Sequence, residues 1–122
     1  MQIRAARVFV QDLAAARRFY ADRLGLPLKA DGPAQGYCVF DAGGIDFVVE
    51  CVSPDHPEED RALIGRFTGL SFAVPDLAKA HRALSSAGVQ FSGLPEQQVW
   101  GGSLATFLDS EGNALQLVQY PA

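Results

Sequence analysis

The chain has 122 residues and 13.1 kDa, 48% hydrophobic and 20% charged, enough for one core and too little for two independent domains. Its 14 acidic and 10 basic residues give a net charge of −4 with no Lys/Arg block, which excludes the electrostatic footprint of a nucleic-acid binder. The run Phe47-Val48-Val49 stops at Glu50, far short of a membrane span, and Met1-Gln2-Ile3-Arg4 lacks the apolar region of a signal peptide, so the expected compartment is the cytoplasm.

Ala6 to Val10 opens the chain as an apolar strand. Asp12 follows where an N-cap belongs, and Leu13, Ala16, Phe19, Tyr20 and Leu24 recur at helical spacing until Gly25 ends the helix. Three strands are expected next, at 26–29, 37–41 and 45–52, with Ala42-Gly43-Gly44 as the hairpin turn between the last two. Residues 53–60 hold two prolines and four acids and predict a solvated linker, running into a short helical turn at 61–66.

The same order then returns. Asp12-Leu13-Ala14 recurs as Asp76-Leu77-Ala78, 64 residues on, after the apolar run Leu70 to Val74. Leu77, Ala80, Ala83, Leu84 and Ala87 form the second helical stripe and Gly88 the stop. Strands are expected at 89–92, 103–108 and 114–120, with the turn Asp109-Ser110-Glu111-Gly112-Asn113 before the last. The chain therefore reads as α+β, one domain made of two tandem βαβββ modules at about 3–53 and 67–121 with a linker at about 54–66. Phe19, Tyr20, Phe40, Phe72 and Phe107 are expected in the core. Cys38 and Cys51 are too far apart for a CxxC motif and read as small core residues; a hairpin would also bring them near enough to consider a cross-strand disulfide.

Val10-Gln11-Asp12-Leu13, Phe19-Tyr20, Leu24-Gly25, Val74-Pro75-Asp76-Leu77, Gly88-Val89, Trp100-Gly101 and the 109–113 turn, in this order over both repeats, resemble the vicinal oxygen chelate superfamily of glyoxalases, extradiol dioxygenases and metal-free bleomycin-resistance proteins. The resemblance covers about Ile3 to Tyr120. It implies two modules whose sheets curl into a cup, with helices outside, the ligand inside, and often a homodimer. It also implies metal ligands, in the metal-dependent members, on the first and last strands of each module. Aligned on the Asp caps, those positions fall on Ala5, Glu50, Gly69 and Gln116, where Glu50 alone is a carboxylate. One acid and one amide fall short of a catalytic metal site, so no cofactor is the first expectation, with a divalent metal held by Glu50, Gln116 and groups of a partner chain as the lesser alternative. His56 in the linker and His81 on the outer helix read as surface histidines.

Strand alternation sends Ala5, Arg7 and Phe9 into the cup from the first strand, with Gly69, Ser71 and Ala73 from its counterpart. The last strands add Asp46, Val48 and Glu50, and Ala114, Gln116 and Val118. The expected ligand-binding residues are Arg7, Phe9, Tyr37, Glu50, Ser71, Trp100 and Gln116. Arg7 is either a fork for a ligand carboxylate or phosphate or the partner of Glu50 in a structural ion pair; Glu50 is also the candidate general base. Tyr37, Trp100, Phe9 and Phe91 offer rings to a planar ligand, and Trp100 before Gly101-Gly102 reads as a mobile rim or an interface residue. Arg17, Arg18, Arg23, Arg82 and Lys79 read as solvated helix charges. The function expected is metal-independent binding of a small molecule by a homodimer; an enzyme of glyoxalase, lyase, isomerase or dioxygenase type, using Glu50 as metal ligand or general base, is the alternative.

Overall fold

In the computed structural model, which describes residues 1–122, the side chains of Asp12 and Asp76 accept hydrogen bonds from the Ala15 and Lys79 amides, each at 3.0 Å. Both helices thus begin where the caps predict. Gly25 and Gly88 follow the helices at φ +72° and +93°, the left-handed region open to glycine. The elements run β1 (Ala5–Val10), α1 (Leu13–Arg18), β2 (Leu28–Gly32), β3 (Tyr37–Asp41), β4 (Asp46–Cys51), α2 (Glu58–Arg61), β5 (Phe67–Ala73), α3 (Leu77–Ser86), β6 (Gln90–Phe91), β7 (Glu96–Gln97), β8 (Ser103–Leu108) and β9 (Ala114–Gln119). They form two separate mixed sheets, β1-β4-β3-β2 and β5-β9-β8-β6, with β7 paired to β8. In each, the first strand runs parallel to the last.

Several elements depart from expectation for local reasons. The first helix continues beyond α1 as a π turn, Phe19–Arg23, in which the Leu24 amide reaches back five residues to the Phe19 carbonyl at 3.1 Å. β2 starts at Leu28 rather than Leu26, because Pro27 has no amide to give and its carbonyl instead takes the Asp41 amide. The linker helix forms at Glu58–Arg61, earlier than 61–66: Pro57 fixes the entry, and Glu58, Glu59 and Asp60 favour the positive end of the helix dipole. β6 is shorter than 89–92, and the two-residue β7 carries too little pattern to be read in advance.

The core is shared by both halves. Val8, Val10, Phe40, Phe47 and Val49 from the first sheet join Ala105, Phe107, Leu115 and Leu117 from the second in one buried cluster, together with Ala16, Phe19, Tyr20 and Leu77 from the helical segments. Rings cross the seam: Phe19 stacks on Phe107 at 6.4 Å and Phe47 meets Phe72 edge-on at 5.4 Å. Each such buried ring contributes about 1.5–3 kcal/mol of transfer free energy. Because the buried faces of both sheets feed this one core, their other faces look away from it.

A polar bracket closes the same seam. Asp109 on the β8–β9 turn accepts from the Tyr20 hydroxyl (2.7 Å), from Asn113 Nδ2 (2.9 Å) and from the backbone amides of Glu111 and Asn113. Asn113 in turn donates to the Phe9 carbonyl and accepts from the Gly65 amide. Both side chains are buried, and no buried polar side-chain atom lacks a partner.

Candidate functional site

On the open face of the first sheet, alternation and register decide which side chains meet. Phe9 lies opposite Glu50 and Glu50 opposite Tyr37, while Arg7 lies opposite Val48 and Val48 opposite Val39. Arg7 Nη1 reaches Glu50 Oε1 at 3.1 Å, and its guanidinium carbon sits 5.4 Å from the centre of the Phe9 ring. The ion pair weighed from sequence is thus formed, but through one nitrogen and in the open, with side chains 57% and 37% exposed. A pair so exposed contributes little to stability, roughly 0–1 kcal/mol. The guanidinium keeps free donors for a ligand. A second pair on this face, Lys29 to Asp46 at 2.6 Å, was not anticipated.

The second sheet presents a different chemistry. Ser71, Gln116 and Thr106 form one cross-strand row, and Gln116 Nε2 donates to Thr106 Oγ1 at 3.2 Å. Gln116 and Thr106 line a hollow of about 240 Å³ with Ser92, Gly93, Leu94, Glu96, Gln98, Leu104 and Ala105, all from the second module. Thr106 was legible from the alternation of β8, whereas Glu96 and Gln98 sit in a stretch with no periodic signal. Val118, expected in the cup, is buried to 4% exposure.

The structure therefore brings Arg7, Phe9, Tyr37 and Glu50 together on one sheet and Ser71 with Gln116 on the other, and one chain does not join the two groups. Trp100 stands apart, at the Gln98–Gly102 turn before β8. Its ring rests 5.8 Å from that of Tyr120 and lies across Gly102, where any Cβ would collide with it. The ring is still half exposed at this turn. Phe91, expected to face a ligand, turns inward and packs on Phe107 and His81. His81 also bonds the Gly93 carbonyl, and His56 Nδ1 accepts from the Ser53 amide, so each histidine has a local structural task. Arg17 pairs with Asp31 and Arg23 donates to the Ala87 carbonyl rather than pointing free into solvent. Cys38 and Cys51 are both free thiols; Cys38 lies opposite Val49, which leaves Cys51 diagonal to it.

Register sets the two modules slightly differently. Arg7 and Ser71 each lie five residues before their Asp cap, and they pair with Val48 and Gln116; Phe9 and Ala73 pair with Glu50 and Val118. The repeat thus matches Gln116 with Val48, and Glu50 stands two residues farther along its strand. Of the positions aligned on the Asp caps, Ala5, Glu50, Gly69 and Gln116, Glu50 alone is ionisable, and it is engaged by Arg7. Gly69 itself sits at the irregularity in β5 with φ +73°, a backbone task. No group of three or more His, Cys, Asp or Glu side chains lies close enough together to hold a metal ion. These residues do not fit the divalent metal of the enzymes in this fold family.

Sheet order and the paired modules define a two-module α+β protein with open sheet faces. The chain belongs to the Glyoxalase/Bleomycin resistance protein/Dioxygenase superfamily, whose family model matches residues 2–117. A superfamily member from Sphaerobacter thermophilus is 28% identical, with a TM-score of 0.81 over 98% of this chain and 97% of its own. TnmS3, an antibiotic-binding protein from Streptomyces sp., is also 28% identical, with a TM-score of 0.75 over 100% and 97%. Lactoylglutathione lyase from Agrobacterium tumefaciens shares the fold at 17% identity, with a TM-score of 0.78 over 97% and 92%. No helix is long and apolar enough to cross a membrane.

Proposed function

We propose that this protein binds a small molecule without a metal, in a cup made by the first sheet of one chain and the second sheet of another. The donor set carries this reading: the positions that the resemblance gives to metal ligands hold Ala5, Glu50, Gly69 and Gln116, a single carboxylate already paired with Arg7, while the open faces offer a forked cation, two rings and neutral hydrogen-bonding groups. Similarity to an antibiotic-binding protein over the full chain supports the same reading. No hollow of one chain is lined by both groups of side chains, so a homodimer is the arrangement that turns two half-sites into one cup. Exposed Ile3, Phe67, Val99, Trp100 and Tyr120 supply apolar surface for that association. The free thiols suit a cytoplasmic protein.

The ligand class follows from the first sheet. Arg7 has unused donors for a carboxylate, and Phe9 and Tyr37 flank the Glu50 row with ring faces for a planar body. A planar organic acid fits better than a polycation, which Arg7 would repel. A thermal-shift screen of small aromatic acids and planar antibiotics tests this, repeated on Arg7→Ala. At least one acid is expected to raise the melting temperature saturably and to lose about tenfold or more in affinity in the variant. Acids that bind Arg7→Ala as well as the parent, or planar cations as the sole hits, would overturn it.

A further inference from the structure

The cleft between the two modules holds a second feature that the sheet faces do not use. A cavity of about 350 Å³ is lined by Arg18 and Arg23 from the first helical segment and by Gly88, Gln90, Asp109 and Ser110 from the second module, with Phe19 and Leu108 among its apolar walls. That is a volume typical of small-ligand clefts. The π turn places the two arginines. In an α-helix, residues five apart point about 140° away from one another; where the backbone bonds five residues back, as Leu24 does to Phe19, residues at that spacing come round to the same side.

Neither guanidinium has a carboxylate within 4.0 Å; even Asp22, one turn from Arg18, forms no such pair. Arg23 is anchored, with Nη1 donating to the Ala87 carbonyl at 2.9 Å and lying against Gly88, which has no side chain to displace it. That contact covers the carbonyl that would otherwise turn the negative end of α3 toward the cleft. Asp109 is the one carboxylate in the lining. It is buried, and its two oxygens are occupied by four donors: the Tyr20 hydroxyl, Asn113 Nδ2 and two backbone amides. Ser110 and Gln90 add neutral donors at the cleft.

We infer that this cleft is a binding site for a phosphate-type oxyanion, free or carried by a small metabolite, held between the Arg18 and Arg23 forks. Paired forks match the oxygens of a phosphate better than a lone ammonium does. Such a ligand touches both modules and strengthens the seam beside Phe19 and Phe107.

The test is titration of the full-length protein with inorganic phosphate and with glycerol 2-phosphate, at ionic strength matched with sodium chloride. Thermal shift and phosphorus NMR line width are the readouts. Both probes are expected to bind saturably, and Arg18→Gln is expected to weaken them about tenfold or more while leaving the Arg23–Ala87 contact and the fold in place. Arg7→Ala is expected to leave phosphate binding unchanged, which separates this site from the sheet faces. Binding of glycerol 2-phosphate alone identifies a carried phosphate, and equal binding of both identifies the oxyanion itself. Absence of saturable binding, equal binding by Arg18→Gln, or loss in Arg7→Ala would each overturn the inference.

Discussion

Asp109 is a buried carboxylate whose oxygens are satisfied by four uncharged donors, so removing one donor exposes the cost of burying the charge. Tyr20→Phe deletes a 2.7 Å bond to Asp109 and is expected to cost about 1.5–3 kcal/mol in urea unfolding. A loss near zero would mean that the bracket is slack. The same burial acts on proton equilibria. Desolvation pushes the Cys38 thiol from its ordinary 9.0 to about 11, with Asp31 adding to the rise and Arg17 opposing it. Burial and Asp109 push the Tyr20 phenol far above its ordinary 10.0. The unfolded chain sheds both protons at their ordinary values while the folded chain keeps them. The unfolded state thus binds fewer protons above pH 9, and stability falls as pH rises from 9 toward 11. Cys38→Ala is expected to flatten the start of that decline in urea melts; an unchanged alkaline limb would contradict the assignment.

At the scale of elements, the β7–β8 connection depends on one missing side chain. Gly102→Ala would drive a Cβ into the Trp100 ring and the Gln119 carbonyl, and is expected to cost about 1–3 kcal/mol. The chain has a single tryptophan, so a red shift of its emission reports the ring leaving Tyr120. Unshifted emission would place Trp100 elsewhere. Elements with a repeated physical signal were legible in advance: the Asp caps, the stop glycines and the alternation Val8, Val10 inward against Arg7, Phe9 outward. The π turn was not, because helical spacing of Phe19, Tyr20 and Leu24 fits either winding. β7 was not, because two residues carry no period. Which side chains share the open face was legible where alternation governs them, as with Arg7 and Glu50. Facing was misjudged where a side chain chose its own packing, as with Phe91, and the offset between Glu50 and Gln116 needed strand register.

For the whole molecule, the seam decides what the faces do. Phe107 touches Phe19, Phe72 and Phe91, so Phe107→Ala is expected to cost about 3–5 kcal/mol and to loosen both modules together. Separate unfolding of the two halves would contradict a shared core. With the buried faces committed to each other, the open faces are what the proposed function assigns to a ligand and a second copy. The central claim is that this ligand is held by organic side chains alone. The most direct measurement is elemental analysis of untagged protein dialysed after exposure to nickel, zinc, manganese and iron. Retention well below one ion per chain is predicted; close to one tightly held ion per cup would contradict the claim and return the open faces to metal chemistry.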